Sequence, residues 1–357
     1  MDYYNLMKTF AKLAKLKAGD TVGIVSPSFA APGMWPHMYE LGLKRVREVF
    51  NLNPIDYPAT AKLGASGEER TANLVSAFTD PNVKAVIASL GGDDQITYIK
   101  NLPTEPFIQN PKPYFGYSDN THFMNFLWLN GIPSYYGGSI FTQFAMQNKM
   151  DEFTVEYLKK ALFEESAEVE LTSSSVFNDV ALQWNDPETM TMSREYEPND
   201  GWYWDVVESG AESVTGITWG GCLESIDEIM RHGVALPSLE DFENVILFLE
   251  TSEEMPDNSY VSRVLRALGE RGILERVRGV LVGRPKGWHF GKERTPEQRK
   301  QHRAEQREVF SKVVRKYNPT APMVMNMDFG HTDPQICLPY GGEARIDAQN
   351  KKVFVRF

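Results

Sequence analysis

The run Thr21-Val22-Gly23-Ile24-Val25, followed by Ser26-Pro27-Ser28, sets the pattern from which the fold can be predicted. Its β-branched residues predict a buried strand, which the Ser-Pro-Ser segment ends. The next segment, His37 to Phe50, spaces its apolar residues as one face of a helix. A strand that leads into a helix is the unit from which parallel sheets are built.

The same unit recurs along the chain. Val83 to Leu90 reads as a strand that runs into Gly91-Gly92, and Tyr114 to Gly116 as a short strand followed by a helix. Strands and helices alternate again in the last third, where Asn244 to Leu249 is a strand and Lys292 to Arg307 a charged, solvated helix. We therefore predict an α/β protein, with an N-terminal Rossmann-like α/β domain and a C-terminal mixed, β-rich α/β domain.

Helical and strand periodicity both fail between about residues 173 and 214, a stretch that is rich in Trp, Tyr, Asp, Asn and Pro. A long irregular stretch inside a compact chain is typical of a binding loop or a domain connection. We predict an N-terminal domain over 1–170, an aromatic-rich connecting or substrate loop over 171–214, and a C-terminal domain over 215–357. The active site is expected where the two domains meet.

The composition excludes several classes of function. The chain has 357 residues and a formal net charge of −11, and it has no basic tract, so we expect no polynucleotide partner. The longest purely apolar run, Val245 to Leu249, is far shorter than the ~20 residues of a membrane span. The first ten residues lack the apolar core of a signal peptide. These features predict a soluble, cytoplasmic protein without a membrane partner.

Sequence motifs for cofactors and metals are also missing. There is no GxxxxGK[ST] loop, no GxGxxG after a strand and no HExxH. The two cysteines, Cys222 and Cys337, are isolated and suggest neither a disulfide framework nor a zinc site. We therefore predict no cofactor and turn to nucleophilic side chains.

Ser118 lies where a predicted strand turns sharply into a helix, within Gly116-Tyr117-Ser118-Asp119-Asn120. A serine at such a turn can hold its hydroxyl at the carboxyl end of the strand, as in a nucleophile elbow. The alternative is that Ser118 only caps the helix, a common role for serine. The lipase signature GxSxG is absent, so both interpretations stay open at this point.

A nucleophile of this kind needs backbone N–H groups that stabilise an oxyanion. Gly91 and Gly92 follow a neighbouring strand, and glycine lets the backbone approach a reacting carbonyl closely. The N–H of Gly92 and that of Asp119 are the candidate donors. An ordinary turn that needs glycine explains the same pair equally well.

The base would be one of six histidines. His331 is the best placed, because it lies in the loop that follows the predicted strand Met323 to Met327. His302 falls on the charged helix and is expected to be solvated. His122 lies four residues after Ser118, and a purely structural role is open for each loop histidine.

The acid that orients the base should also follow a strand. Glu250 ends the apolar run Ile246 to Leu249, and Glu253 and Glu254 compete with it for this role. With Glu250, the order along the chain is serine, acid, histidine, as in hydrolases whose elbow precedes the other two members. A polar residue that simply ends a buried strand is the alternative.

Taken together, these residues resemble the serine peptidase family that contains the bacterial LD-carboxypeptidases and the microcin C immunity peptidases. The resemblance covers most of the chain and rests on six short segments in one order: Gly23 to Ser28, Leu90 to Gly92, Gly116 to Asp119, Gly220 to Leu223, Phe248 to Glu250 and Gly330 to Thr332. It implies Ser118 as nucleophile, His331 as general base and Glu250 as orienting acid, with no metal. It also implies Gly92 and Asp119 as oxyanion donors, and a homodimer.

The oxyanion loop distinguishes two branches of that family. Gly91-Gly92-Asp93-Asp94 is similar to the microcin C immunity branch, whereas murein LD-carboxypeptidases tend to carry GGYG. That branch implies substrate contacts by Gly91 and by a loop aromatic, Trp184 or Trp202, which would stack on a nucleotide base. Cys222 stands where the family often has Asn, and it is the fourth residue predicted to contact substrate, with Gly91, Trp184 and Trp202. The aromatic residues could instead close the domain interface.

We therefore expect a serine carboxypeptidase that hydrolyses an amide bond in a peptidyl or aminoacyl nucleotide, such as a microcin C-like antibiotic, and so confers immunity. The alternative substrate is a murein peptide that would lose its terminal D-Ala. A different class also fits the two-domain pattern, namely a binding protein that closes on a small molecule without chemistry.

Overall fold

A computed structural model describes residues 8–165, 168–207 and 212–357. Within these ranges two large mixed sheets, flanked by helices, make up the protein. No helix in the described part is long and apolar enough to cross a membrane.

The strands of the described residues are, in chain order, β1 (Thr21–Val25), β2 (Asn53–Asp56), β3 (Val83–Ala88), β4 (Tyr114–Gly116), β5 (Ser134–Tyr136), β6 (Val169–Leu171), β7 (Val176–Phe177), β8 (Glu197–Pro198), β9 (Tyr203–Asp205), β10 (Ser213–Cys222), β11 (Val245–Glu250), β12 (Gly279–Gly283), β13 (Met323–Met327), β14 (Leu338–Tyr340), β15 (Glu343–Asp347) and β16 (Lys352–Val355).

The α-helices are α1 (Ala31–Met34), α2 (Pro36–Glu48), α3 (Gly67–Thr79), α4 (Ile96–Ile99), α5 (Glu105–Gln109), α6 (Thr121–Leu129), α7 (Glu152–Phe163), α8 (Leu223–His232), α9 (Asn258–Glu270) and α10 (Pro296–Tyr317). Short 3₁₀ turns cover Ser118–Asn120, Pro187–Thr191 and Glu240–Asn244, and one π-helical turn covers Ile140–Phe144.

The first sheet has the strand order β14-β5-β4-β3-β1-β2. Its five strands from the N-terminal part of the chain run parallel to their neighbours, and β14 joins antiparallel to β5. Strands β1 and β3 are almost wholly buried, as expected for a parallel sheet covered by helices on both faces. This is the predicted Rossmann-like half of the protein.

The second sheet has the order β6-β16-β15-β10-β11-β12-β13-β9. Its centre, β10 to β13, is parallel, whereas β15 and β9 pair antiparallel on the two sides. Every residue of β11 and of β12 is buried. The predicted fold class, an α/β half followed by a mixed, β-rich half, is confirmed.

The irregular stretch after residue 171 contains more structure than its sequence indicated. Strands β7 and β8 pair with each other, and β9 pairs with β13 at the edge of the second sheet. Each sheet also contains a strand from the other half of the chain, since β6 lies in the second sheet and β14 in the first. The boundaries at residues 170 and 215 therefore stay a prediction.

The carboxyl ends of the parallel strands point toward one region. Gly91-Gly92 follows β3, Ser118 follows β4, Glu250 is the last residue of β11, and His331 lies in the loop after β13. Parallel strands present their carboxyl ends at the same edge of a sheet, where loops gather functional side chains. The topology therefore brings the strand ends of the first sheet, with Gly91, Gly92 and Ser118, next to those of the second sheet, with Glu250 and His331.

Two glycines of β10 allow this close junction. Gly220 and Gly221 have φ values of +150° and +125°, which residues other than glycine rarely adopt. A Cβ at Gly220 would overlap the carbonyl oxygen of Phe248 on β11, and a Cβ at Gly221 would lie 2.5 Å from Thr121 Oγ1 on α6. The strand can approach both neighbours only because these side chains are absent.

We predict that Gly220→Ala lowers the free energy of unfolding by about 3 kcal/mol or more, because a strained backbone and a steric overlap add together. The matched control is Gly64→Ala, at a φ of +70° with open space around the added Cβ. It should cost only about 1 to 2 kcal/mol. Urea denaturation measures both, and equal losses would contradict the proposed close approach.

Candidate active site

Ser118 lies at the turn between β4 and α6 with a left-handed backbone, φ +63°. The conformation is rare for residues other than glycine and marks a sharp, strained turn. Asn120, not Ser118, is the N-cap of α6. The Ser118 hydroxyl is instead directed toward His331, so the geometry favours the elbow over the helix cap.

His331 connects the serine to a carboxylate. Its Nε2 lies 3.1 Å from Ser118 Oγ, and its Nδ1 lies 2.7 Å from Glu250 Oε2. Glu250 is completely buried. An imidazole held between a carboxylate and a hydroxyl can accept the hydroxyl proton while the carboxylate stabilises the resulting imidazolium. The structure thus brings together the three residues predicted from three separate strand ends.

Tyr136, which sequence reasoning missed, completes this arrangement. Its buried hydroxyl donates to Glu250 Oε1 at 2.6 Å and accepts from the N–H of Ser118 at 3.2 Å. The Glu250 carboxylate is therefore held on both oxygens. Gly330 makes room for it, since a Cβ there would lie 2.6 Å from Glu250 Oε2. Tyr136 ends β5, beside β4, and no sequence motif distinguishes it from other buried tyrosines.

Glu253 makes a second carboxylate contact with the same imidazole. Its Oε2 lies 3.0 Å from His331 Nε2, in the geometry of an ion pair and not of an aligned hydrogen bond. The side chain remains partly exposed and lines the cavity described below. The two acids that competed in the sequence thus occupy different positions, with Glu250 at Nδ1 and Glu253 at Nε2.

These two carboxylates control the charge of the imidazole. Burial would lower the pKa of His331, but Glu250 and Glu253 outweigh it and raise that pKa to about 10. Burial would raise the pKa of Glu253, but the nearby imidazolium outweighs it and lowers that pKa to about 2. In the free protein, these two contacts therefore favour the charged form of His331 over the neutral form that accepts a proton.

The glycine loop lies beside the serine. A Cβ at Gly91 would lie 3.2 Å from Ser118 Oγ and 3.4 Å from the backbone nitrogen of Asp119. At Gly92, φ is +157° and a Cβ would overlap the hydroxyl of Ser28. The N–H of Gly92 makes no hydrogen bond within the described part of the chain. The loop therefore presents bare backbone next to the hydroxyl, as an oxyanion site requires.

The side chain of Asp119 holds the turn after Ser118 in place through two hydrogen bonds to other loops. Its carboxylate accepts hydrogen bonds from the hydroxyl of Ser28 and, at 3.1 Å, from the N–H of Gln95. Burial raises the pKa of this carboxyl. Because Ser28 follows β1 and Gln95 follows the glycine loop, one carboxylate ties three strand ends together. The Ser-Pro-Ser segment that ended the first predicted strand thus contributes to the site.

Asp119 also belongs to the one group of potential metal ligands found among the described residues. Ligand atoms of Asp119, His122 and Glu228 lie within 4.8 Å of one another. His122 Nε2 lies 3.0 Å from Glu228 Oε2, with which it forms a hydrogen bond, and 3.4 Å from Asp119 Oδ1. These contacts account for the group without a metal ion.

A cavity of about 1000 Å³ opens above Ser118 and His331. Phe29, Trp35 and Trp184 form an aromatic wall of neighbouring rings, and Trp288 and Phe290 also line the cavity. Glu253, Lys286, Arg194 and Asp333 line its polar part. A concave site with several aromatic side chains and a few charged groups is the usual form of a small-molecule pocket.

The four residues predicted to contact substrate are placed differently. Gly91 and Trp184 line the cavity, and the Trp184 ring packs edge-on to Trp35 at 5.3 Å. Trp202 does not line it, because its indole N–H donates to the buried Asp328 at 2.8 Å. Cys222 is also outside, since its thiol is buried and directed at Glu224, 3.3 Å away. Neither Trp202 nor Cys222 is in a position to meet a ligand in this cavity.

Comparison with known proteins places the chain in a family. Residues 22–137 match the model of the LD-carboxypeptidase N-terminal domain, and residues 215–346 match that of the LD-carboxypeptidase C-terminal domain. A putative carboxypeptidase of Treponema pallidum is 28% identical over 96% of this chain and 94% of its own. The microcin C7 self-immunity protein MccF of Escherichia coli is 23% identical over the same shares.

Solved structures of similar proteins have the same fold. An MccF-like protein from Streptococcus pneumoniae, in complex with AMP, has a TM-score of 0.82 at 26% identity and covers 95% of this chain and 99% of that one. A structure of MccF in complex with aspartyl sulfamoyl adenosine has a TM-score of 0.80 at 22% identity, over 97% and 98% of the two chains. Because the two family models match the segments that carry Ser118 and His331, in the order expected, the chain belongs to the LD-carboxypeptidase family.

Proposed function

We propose that the protein is a serine carboxypeptidase that hydrolyses the amide bond of an aminoacyl or peptidyl nucleotide. The observation that carries this proposal is the continuous contact from Ser118 through His331 to the buried Glu250, beside a cavity that Ser118 and His331 line. The carboxypeptidase names of several relatives support the class of reaction.

The proposed reaction has two stages. His331 takes the proton of Ser118, whose oxygen attacks the carbonyl carbon of the scissile amide. The N–H groups of Gly92 and Asp119 stabilise the oxyanion, and the imidazolium then protonates the leaving nitrogen. In the second stage His331 takes a proton from water, whose oxygen attacks the acyl carbon, and gives that proton to Ser118 Oγ as the ester bond breaks.

The free-protein contact between Glu253 and His331 must change before this can happen. Nε2 has to accept a proton from Ser118, so the imidazole must first be neutral. We propose that bound substrate moves the Glu253 carboxylate away from Nε2, which lowers the pKa of His331. The partial exposure of Glu253 leaves it space to move into the cavity.

The aromatic wall supports a nucleotide as part of the substrate. Trp184 is half-buried and lies against Trp35 and Phe141, so its ring is held in place at the cavity wall. A fixed indole suits stacking on a base. AMP and aspartyl sulfamoyl adenosine, which two similar proteins hold, both contain an adenine base. We accordingly propose Trp184, and not Trp202, as the stacking residue.

Hydrolysis of such a compound would inactivate an antibiotic of the microcin C type, so we propose a role in immunity or detoxification. A homodimer remains a prediction from the family resemblance, and a cytoplasmic location remains one from the sequence features described above. The second candidate substrate is a murein peptide, which is favoured by a 23% identical relative from Bacillus subtilis described as a probable murein peptide carboxypeptidase.

Mass spectrometry of two parallel incubations tests the substrate. We expect the protein to convert aspartyl sulfamoyl adenosine into aspartate and sulfamoyl adenosine, and to leave a murein tetrapeptide intact. Ser118→Ala should slow the reaction by at least about 10⁴-fold, as loss of a nucleophile does in serine proteases. The control Ser134→Ala changes a buried serine outside the cavity and should retain activity. Cleavage of the tetrapeptide alone would favour the second candidate, and an active Ser118→Ala variant would exclude the mechanism.

The pH dependence tests the role of Glu253. Since only neutral His331 can act as a base, kcat/KM should rise with pH toward the raised pKa of the free protein. Glu253→Gln removes one of the two negative charges that raise this pKa, so the rising limb should move to lower pH and activity at pH 7 should increase. Well below the pKa, a tenfold weaker proton affinity of His331 gives about tenfold more neutral imidazole.

The matched control for this variant is Glu297→Gln, which changes an exposed carboxylate at the start of α10. It should leave the pH profile of kcat/KM unchanged. A Glu253→Gln profile that superimposes on the wild-type profile would show that Glu253 does not control the charge of His331.

A further inference from the structure

Lys286 is a cation at the cavity for which the proposed reaction has no role. It follows β12, which lies between β11, the strand that ends at Glu250, and β13, the strand that precedes His331. Its ammonium donates one hydrogen bond, of 3.3 Å, to the carbonyl oxygen of His331. No carboxylate of the described residues forms an ion pair with it. Two of its three donor hydrogens therefore have no partner in the described part of the chain.

The nearby charges are already engaged with other groups. Asp333 pairs with Arg194, and Glu253 pairs with His331. Arg194 also donates to Gln147 at 3.3 Å, which leaves Lys286 as the cation of the cavity lining without a counterion among the described residues. Burial lowers the pKa of Lys286, while Asp333 and Glu253 oppose that effect. A partly desolvated ammonium of this kind is stabilised by an anion that enters the cavity.

We propose that Lys286 binds an anionic group of the substrate beside the scissile amide, and so selects for substrates that carry a negative charge there. The inference rests on the proposed function and adds the residue that would recognise the charge. The anion is a carboxylate of the acyl residue or the acidic linker between that residue and the nucleoside, because either presents the oxygens that an ammonium prefers.

A structural role is the competing explanation, in which Lys286 only holds the His331 loop through its carbonyl. That role would weaken all substrates alike, because the position of His331 does not depend on the charge of the ligand. Anion recognition instead predicts a loss that is confined to charged ligands. Pairs of ligands that differ in one anionic group separate the two explanations.

Binding should be measured by calorimetry in the Ser118→Ala background, so that no ligand is consumed. One pair is aspartyl and asparaginyl sulfamoyl adenosine, which differ in the side-chain carboxylate. The other pair is AMP and adenosine, which differ in the phosphate. We expect Lys286→Met to weaken the charged member of at least one pair by about 10- to 100-fold, in the range of a charge-assisted hydrogen bond. Its neutral partner should change by less than about threefold.

Two further variants keep the test decisive. Lys286→Arg retains the charge and should retain the preference for the charged ligand. Lys112→Met removes another partly buried lysine, which donates to Ala77 and Asp80 carbonyl oxygens away from the cavity, and should leave all four affinities unchanged. Circular dichroism confirms that each variant is folded. If Lys286→Met does not fold, neutralisation by Lys286→Gln replaces it in the same comparison.

The outcomes separate this inference from the proposed function. A selective loss in the aspartyl pair assigns Lys286 to the acyl carboxylate, and one in the AMP pair assigns it to the linker. Equal changes within both pairs, or no change in any, would overturn the inference even if the wild-type protein cleaves its substrate. Selective binding without any cleavage by the wild-type protein would retain the anion site and overturn the proposed function. Failure of all four ligands to bind would overturn both.

Discussion

The site depends on one imidazole that is held between two parts of the chain. His331 comes from the second sheet and reaches Ser118 at the edge of the first, while Glu250 fixes its other nitrogen. Tyr136 adds a contact in the opposite direction, since its hydroxyl donates from the first sheet to Glu250 in the second. These groups are polar and largely buried, so each must keep its partner or lose stability. The contacts that hold the two sheets together are thus the same contacts that align the reactive groups. Glu253 adds a second carboxylate next to His331.

Much of this arrangement could be predicted because the fold places functional residues at strand ends. Short β-branched or apolar runs identified β4, β11 and β13, and the polar residues that follow or end them were Ser118, Glu250 and His331. The sharp turn at Ser118 and the bare backbone at Gly91 were also indicated by residue type alone. Local sequence is informative here, because the chemistry of a strand end is determined within a few residues of it.

The remaining features depend on contacts between distant segments, which no local pattern records. The mixed charges of α10 indicated a solvated helix, yet His302 is only 7% exposed and Arg299 and Arg303 pair with the buried Asp179. That partner lies more than a hundred residues away, in the irregular segment that carries Trp184. The same long-range pairing takes the indole of Trp202 to Asp328 and away from the cavity. Composition identified an aromatic segment, but only tertiary structure shows which of its rings face a ligand.

The central claim is that Ser118 is a nucleophile activated by His331 and Glu250, and not a residue of a passive binding protein. The most direct measurement is covalent labelling with a fluorophosphonate, followed by peptide mapping in the mass spectrometer. We predict one adduct per chain, located on Ser118, which forms far more slowly in His331→Ala and Glu250→Gln. An adduct on another residue, the absence of any adduct, or labelling at an unchanged rate in these two variants would contradict the claim.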